Sequence, residues 1–205
     1  GGRNCAFILD NLNVYTDCHG VILEKDTTCT VNGGTYVIGD KSGNRLFYLY
    51  NSSILSTANV QLTINGGTFS RVDVGSNESY GIQVGSKVNG TINIYGGEFT
   101  GFDAVLNLGV SGEYNIYGGK YTGTIEVGTG NPTISGGWFK NNPANYVANG
   151  YCAVSTTANN KGPWTVVPYP EKDNGAAYTA AYTPAAATAL YENSTRSVAV
   201  KVNGE

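Results

Sequence analysis

The 205-residue chain lacks methionine, has a single histidine, and only 13% of its residues are charged. Its 12 Lys and Arg against 15 Asp and Glu give a formal net charge of −3 and no basic stripe, which argues against DNA or RNA as a partner. No apolar run reaches the 18 residues of a membrane-spanning helix, so no helical span is expected. The opening Gly1-Gly2-Arg3-Asn4-Cys5 lacks the apolar core of a signal peptide and no Met precedes it. The expectation is a chain that begins after processing or partway through a longer product. CxxC pairs, calcium-loop patterns, phosphate-cradling loops and Ser-His-Asp signatures are also missing, and no cofactor is expected.

Glycine (29 residues) and tyrosine (15) are abundant, and 40% of the chain is hydrophobic. That apolar content excludes wholesale disorder. Scarce charge with plentiful Gly, Thr, Asn and Tyr excludes a helical bundle and reads as β structure with many tight turns. Four cysteines occur, Cys5, Cys18, Cys29 and Cys152. They allow three full pairings, and the crowding of three into the first 29 residues suits a disulfide clamp near a solenoid end. The rival is a zinc site on Cys18, His19 and Cys29, disfavoured by the lone histidine; no metal is expected. Cysteine usage, absent Met and low Lys content point to an oxidising, extracellular compartment.

An internal repeat dominates the sequence. Cys29-Thr-Val-Asn-Gly-Gly-Thr-Tyr36, Leu62-Thr-Ile-Asn-Gly-Gly-Thr-Phe69, Ile92-Asn-Ile-Tyr-Gly-Gly-Glu-Phe99, Tyr114-Asn-Ile-Tyr-Gly-Gly-Lys-Tyr121 and Pro132-Thr-Ile-Ser-Gly-Gly-Trp-Phe139 align without gaps. Their first glycines, Gly33, Gly66, Gly96, Gly118 and Gly136, are 33, 30, 22 and 18 residues apart, which suits a solenoid with loops of varied length. Cys29, Leu62, Ile92, Tyr114 and Pro132 share a phase with Val31, Ile64, Ile94, Ile116 and Ile134. Thr30, Thr63, Asn93, Asn115 and Thr133 lie between, which is the period-2 alternation of a half-buried strand. The glycine pair turns the chain, because glycine reaches φ > 0 without a Cβ clash. Tyr36, Phe69, Phe99, Tyr121 and Phe139 then deliver one aromatic per coil to an interior column. Arg45–Tyr50, Tyr80–Gly85, Ala104–Leu108 and Thr124–Val127 supply further strands, making about three per coil. Leu12–Tyr15 matches the strand of a weaker preceding coil, with Thr16-Asp17 in place of Gly-Gly.

The fold class expected is all-β, a right-handed parallel β-helix (β-solenoid) with a C-terminal cap and a strand-like tail. Residues 1–140 form the coils, 141–170 the cap, and 171–205 an Ala/Tyr/Thr-rich tail with the alternating strand Ser197–Val202. The alternative is an antiparallel sandwich or up-and-down barrel with the glycine pairs as hairpin turns. The tail reads as a strand folded on its own solenoid, or as an extension added to a neighbour's open edge.

After Phe139 come Asn142-Pro-Ala-Asn-Tyr-Val-Ala-Asn-Gly-Tyr151 and Trp164-Thr-Val-Val-Pro168. Gly-Gly-x-Phe repeats closing on these segments resemble secreted β-helix proteins of Firmicute-type bacteria and their phages, over residues 29 to 168. The resemblance implies extracellular or cell-surface placement, or a phage virion, and mostly no assigned catalytic residues.

The carboxylates Asp73, Glu78, Glu98, Asp103, Glu113 and Glu126 are the candidates for polysaccharide hydrolysis or lysis, which needs two acids at a defined separation. Glu98 and Lys120, successive in one column, read as an outward ion pair. Asp73, Glu78 and Asp103, in Gly/Ser/Asn surroundings, remain the catalytic alternative to a non-catalytic chain. Asn32 and Asn65 suggest a hydrogen-bonded ladder. Tyr95, Tyr117 and Trp138 suggest an exposed aromatic strip for sugars or another protomer, against solvated tyrosines that shield backbone. A flat ice-binding Thr column is not supported, since only Thr35 and Thr68 agree. Asn-x-Ser/Thr acceptors occur at Asn51, Asn77, Asn89 and Asn193. The expected function is a non-catalytic structural or adhesive solenoid, self-assembling into a surface filament or coat, with itself or surface glycans and proteins as partners. The alternative is a glycan-binding or glycan-cleaving module.

Overall fold

The computed structural model describes residues 4–39, 43–53, 55–72, 78–109, 111–128, 130, 132–157 and 161–169. The expected tail, 171–205, lies outside the described residues, as does Asp73. Among them the chain is almost wholly β, with a 3-10 turn at Ala144–Tyr146 and no α-helix. A first pass holds β1 (Cys5–Leu9), β2 (Leu12–Thr16) and β3 (Val21–Leu23). The second holds β4 (Thr27–Val31), β5 (Gly34–Ile38) and β6 (Asn44–Leu49), and the third β7 (Ala58–Ile64), β8 (Thr68–Arg71) and β9 (Ser79–Val84). The fourth contains β10 (Val88–Ile94), β11 (Glu98–Thr100) and β12 (Ala104–Leu108). The fifth contains β13 (Ser111–Ile116), β14 (Lys120–Tyr121) and β15 (Thr124–Val127). A sixth begins with β16 (Thr133–Ile134) and β17 (Gly137–Phe139), and the chain closes with β18 (Tyr151–Ser155) and β19 (Trp164–Pro168).

Every third strand returns to the same sheet. Sheet A stacks β1-β4-β7-β10-β13-β16, sheet B stacks β2-β5-β8-β11-β14-β17, and sheet C stacks β3-β6-β9-β12-β15. Their neighbours run parallel throughout, as in Leu62↔Ile92, Phe69↔Phe99 and Ile82↔Leu106, which excludes the antiparallel sandwich or barrel. The weaker first coil is shifted by one strand from its expected alignment. Leu12–Thr16 pairs in sheet B with Gly34–Ile38, and Cys5–Leu9 takes the sheet A position with Phe7↔Cys29 and Leu9↔Val31. Asn11-Leu12 therefore stands opposite the glycine pair Gly33-Gly34, and Asn11 takes a positive φ of +48°.

The repeat columns dictate the core. Cys29, Leu62, Ile92 and Tyr114 are buried, as are Val31, Ile64, Ile94, Ile116 and Ile134. The aromatic column forms one continuous stack: Tyr36–Phe69 at 5.3 Å between ring centroids, Phe69–Phe99 at 4.4 Å, Phe99–Tyr121 at 5.4 Å and Tyr121–Phe139 at 4.8 Å. Each contact contributes roughly 0.5–1.5 kcal/mol beyond its area burial. The two glycines of each pair serve different needs. The second sits at positive φ, as at Gly97 (+108°) and Gly119 (+105°). The first lacks room for a side chain in the later coils, where a Cβ on Gly96, Gly118 or Gly136 would lie 2.9, 2.5 or 2.1 Å from a carbonyl oxygen of the preceding coil, whereas at Gly66 the nearest atom would be 3.9 Å away.

At the C-terminal end β19 lies antiparallel on β17, pairing Phe139 with Trp164, and β18 lies antiparallel on β19. This reversal ends the stacking of sheet B, while Val147 bridges Ile134 at the end of sheet A. The Asn142–Tyr151 and Trp164–Pro168 segments are thus a closing hairpin with its lead-in. Trp164, Val166, Cys152, Ala153 and Val154 are buried beneath it.

Candidate functional site

The turn from sheet A to sheet B brings Tyr95 and Tyr117 together. Both precede a glycine pair, immediately after β10 and β13, so continued alternation points them outward, and they remain 54% and 45% exposed. Their rings stack face to face at 4.8 Å with an interplanar angle of 9°. Trp138 does not extend this stack. It follows its glycine pair, lies in register with Lys120 on sheet B, is half-buried, and has the Lys120 ammonium 5.7 Å from its ring centroid. Lys120 also donates to Glu98 Oε1 at 2.6 Å, the expected outward ion pair. The expected three-residue strip is therefore a tyrosine pair on one column and a tryptophan beneath a cation on the next.

Of the remaining carboxylate candidates, Asp103 and Glu78 lie at the corner between sheets B and C, just before β12 and β9. Arg71, whose side chain is fully buried at the end of β8, donates from Nη1 to Asp103 Oδ2 at 3.2 Å. The same oxygen accepts from the Ser79 backbone N–H and Ser79 Oγ, each at 3.0 Å. Such charge-assisted bonds are stronger than neutral ones, and here they clasp the start of β9 to the chain entering β12. Glu78 Oε2 accepts from the Tyr80 hydroxyl at 3.0 Å. Both acids are thus held by donors of the protein itself. Glu113 accepts from Asn115 Nδ2 at 3.0 Å, on the outer face of sheet A.

The expected disulfide clamp is not formed, because Cys5, Cys18, Cys29 and Cys152 are all free thiols. Cys29 points into the core on sheet A and Cys152 packs with Val154 in the closing hairpin, at opposite ends of the stack; Cys5 and Cys18 are exposed. Burial pushes the Cys29 and Cys152 thiols up to about 11. Cys18, His19 and Cys29 do not converge, and no group of three or more His, Cys, Asp or Glu among the described residues is arranged to hold a metal. His19 instead accepts the Arg45 backbone N–H on Nδ1 at 3.3 Å and packs against Tyr48. Burial, then the Arg45 charge, hold its imidazole below its ordinary value.

Polar ladders run along the outside of the stack. Asn65 Nδ2 donates to Asn32 Oδ1 at 2.8 Å, the expected pair, and Asn89 to Asn59 and Asn115 to Asn93 repeat it on sheet A. The sequence reading missed the ladder on sheet C. There Arg45 Nε donates to Gln83 Oε1, Gln83 Nε2 to Asn107 Oδ1 at 3.2 Å, and Asn107 Nδ2 to Glu126 Oε2 at 2.7 Å. The guanidinium lies 4.5 Å from the Tyr48 ring centroid and 5.9 Å from that of Tyr80. Consecutive buried residues, Leu46-Phe47 in β6 and Val105-Leu106 in β12, break the period-2 pattern and hid this outward row. Of the acceptor asparagines, Asn51 donates both amide hydrogens, to Ser56 O and Lys87 O, which leaves it engaged; Asn89 is exposed. Asn77 and Asn193 lie outside the described residues.

Compared with family models, with curated proteins and with solved structures, the chain gives no significant match to any of them. No helix among the described residues is long and apolar enough to cross a membrane.

Proposed function

We propose that the chain is a right-handed parallel β-helix of the extracellular space or cell surface, a non-catalytic structural or adhesive rod that assembles with further copies into a filament or coat. One observation carries this reading: side chains stack in register through successive coils both inside and outside. The five-ring interior stack and the amide ladders of sheets A and C make each coil a template for the next. Such a stack is cooperative, since no coil buries its apolar face alone. The candidate acids Asp103 and Glu78 already have structural donors, which favours a scaffold over an acid–base pair.

Electron microscopy of native, undenatured material tests the assembly. Ordered filaments or sheets are expected, and removal of residues 190–205 should abolish them while leaving the far-ultraviolet circular dichroism unchanged. Polymers that persist after the cut sink the role assigned to the tail. The exposed Tyr95–Tyr117 pair favours a second reading, a glycan-binding or glycan-cleaving surface module, including one on a phage virion. In that reading Tyr95→Ala with Tyr117→Ala abolishes retention on a glycan array. Loss of turnover in Asp103→Ala or Glu78→Ala on a bound glycan would establish cleavage.

A further inference from the structure

The three faces of the stack treat charge differently. On sheet B, Glu98 and Lys120 neutralise each other directly at 2.6 Å. On sheet C the only charged residues in β3, β6, β9, β12 and β15 are Arg45 and Glu126, and they stand three coils apart. Three interstrand steps of about 4.8 Å, with a three-residue offset along the strand because Arg45 pairs with Tyr80, separate their backbones by roughly 17 Å, and the long Arg45 side chain crosses that offset to reach Gln83. Register connects the intervening row, with Tyr48↔Gln83, Gln83↔Asn107 and Asn107↔Glu126. All three hydrogen bonds run in one direction, from the guanidinium through two amides to the carboxylate. A chain of this kind polarises cooperatively, so the row is a surface dipole with its positive end on β6 and its negative end on β15. Arg45 has no carboxylate within ion-pair distance among the described residues; its other contacts are Gly43 O, His19 and the faces of Tyr48 and Tyr80.

We propose that this outer face of sheet C docks a second copy of the chain, related by a two-fold axis lying in the face between β9 and β12. That rotation sets β6 of one copy over β15 of the other and β9 over β12. Arg45 then meets Glu126 of the second copy twice over, and Gln83 faces Asn107. An isologous contact requires such self-complementarity, and a row with opposite charges at its two ends supplies it. Each amide in the row uses one N–H and one oxygen lone pair within its own chain, which leaves the others for the second copy. Tyr48, Tyr80 and Arg45 are residue types that dominate binding energy at interfaces. The four strands that overlap in this pairing, β6, β9, β12 and β15, have four to six residues each and span roughly 14 by 17 Å, less than the ~800 Å² per partner of a standard interface. The pair is therefore weak in solution and effective where many copies are held side by side. The proposal shares with the assembly reading only the choice of a second copy as partner. Removing residues 190–205 tests the tail and leaves this lateral face intact, so the two fail separately.

Sedimentation equilibrium up to about 1 mM chain tests it. The wild type should show a monomer–dimer equilibrium. Arg45→Glu and Glu126→Arg, each folded by circular dichroism, should each weaken it about tenfold or more through like-charge contact. An equimolar mixture of the two variants should restore it. In the mixed pair the carboxylate introduced by Arg45→Glu faces the guanidinium introduced by Glu126→Arg, and the unaltered Arg45 of one chain faces the unaltered Glu126 of the other. If Arg45→Glu fails to fold, Glu126→Arg on the exposed edge strand should still weaken pairing more than Glu126→Gln. A wild type that stays monomeric throughout, or a dimer indifferent to Glu126→Arg, overturns the proposal; binding of an acidic polysaccharide by that monomer would assign the Arg45 face to a glycan instead.

Discussion

Tyr36 and Tyr121 occupy the same column of the interior aromatic stack, and both rings are fully buried. Their hydroxyls differ. Tyr121 donates to Gly118 O at 2.7 Å, whereas the Tyr36 hydroxyl is buried with no hydrogen-bond partner among the described residues. Replacing each by phenylalanine leaves ring packing nearly unchanged and isolates the hydroxyl. A buried, unsatisfied hydroxyl costs about 1–3 kcal/mol, because the solvation it had in the unfolded chain is not replaced. Tyr36→Phe removes that cost and keeps the contacts with Phe69 at 5.3 Å and Phe47 at 5.8 Å, so it should stabilise by about 1 kcal/mol. Tyr121→Phe loses a satisfied bond and leaves the Gly118 carbonyl without that donor, so it should destabilise by about 1 kcal/mol. For a chain of this size 1 kcal/mol corresponds to roughly 2–4 °C in Tm. Differential scanning calorimetry should therefore show the two variants moving in opposite directions from the wild type. Shifts of the same sign, or a lowered Tm for Tyr36→Phe, would refute the accounting of the column.

Two further tests address the core and its thiols. Phe99→Ala, in the middle of the stack with neighbours at 4.4 and 5.4 Å, should cost about 3–5 kcal/mol in urea unfolding, and Phe139→Ala, with one stacking neighbour, less than that; equal losses would argue against a continuous stack. A thiol reagent at pH 8 should label Cys5 and Cys18 rapidly, with Cys29 and Cys152 reacting only after denaturation. Because the two buried thiols are raised from 9.0 to about 11, the unfolded chain ionises first as pH rises. Their contribution should be fully present below about pH 9 and fall away between pH 9 and 11, read as a declining urea midpoint that Cys29→Ser and Cys152→Ser flatten.

Residue pattern alone specified the parallel stack wherever one strand type repeated cleanly. Cys29-Thr-Val, Leu62-Thr-Ile and their successors alternate with period 2, and a glycine pair followed by an aromatic ends each. Side-chain phase and glycine geometry are local properties, so the interior ring column, the Asn32–Asn65 ladder and the Glu98–Lys120 pair could be read without a fold. The first coil reads one strand out of alignment because Asn11-Leu12 makes the turn that a glycine pair makes elsewhere, a substitution visible only once Leu12 is seen beside Gly34. Tertiary structure alone decided which partners the polar groups meet. Cys29 reads as a disulfide candidate until the coil turns it inward, and the partners of Asp103, Arg71 and Ser79, stand 32 and 24 residues away in the chain. The Arg45–Glu126 row depends on four strands lying side by side, with one register shift at Ala104/Leu106 where β12 meets β15, and contacts made between coils leave no periodic trace within one.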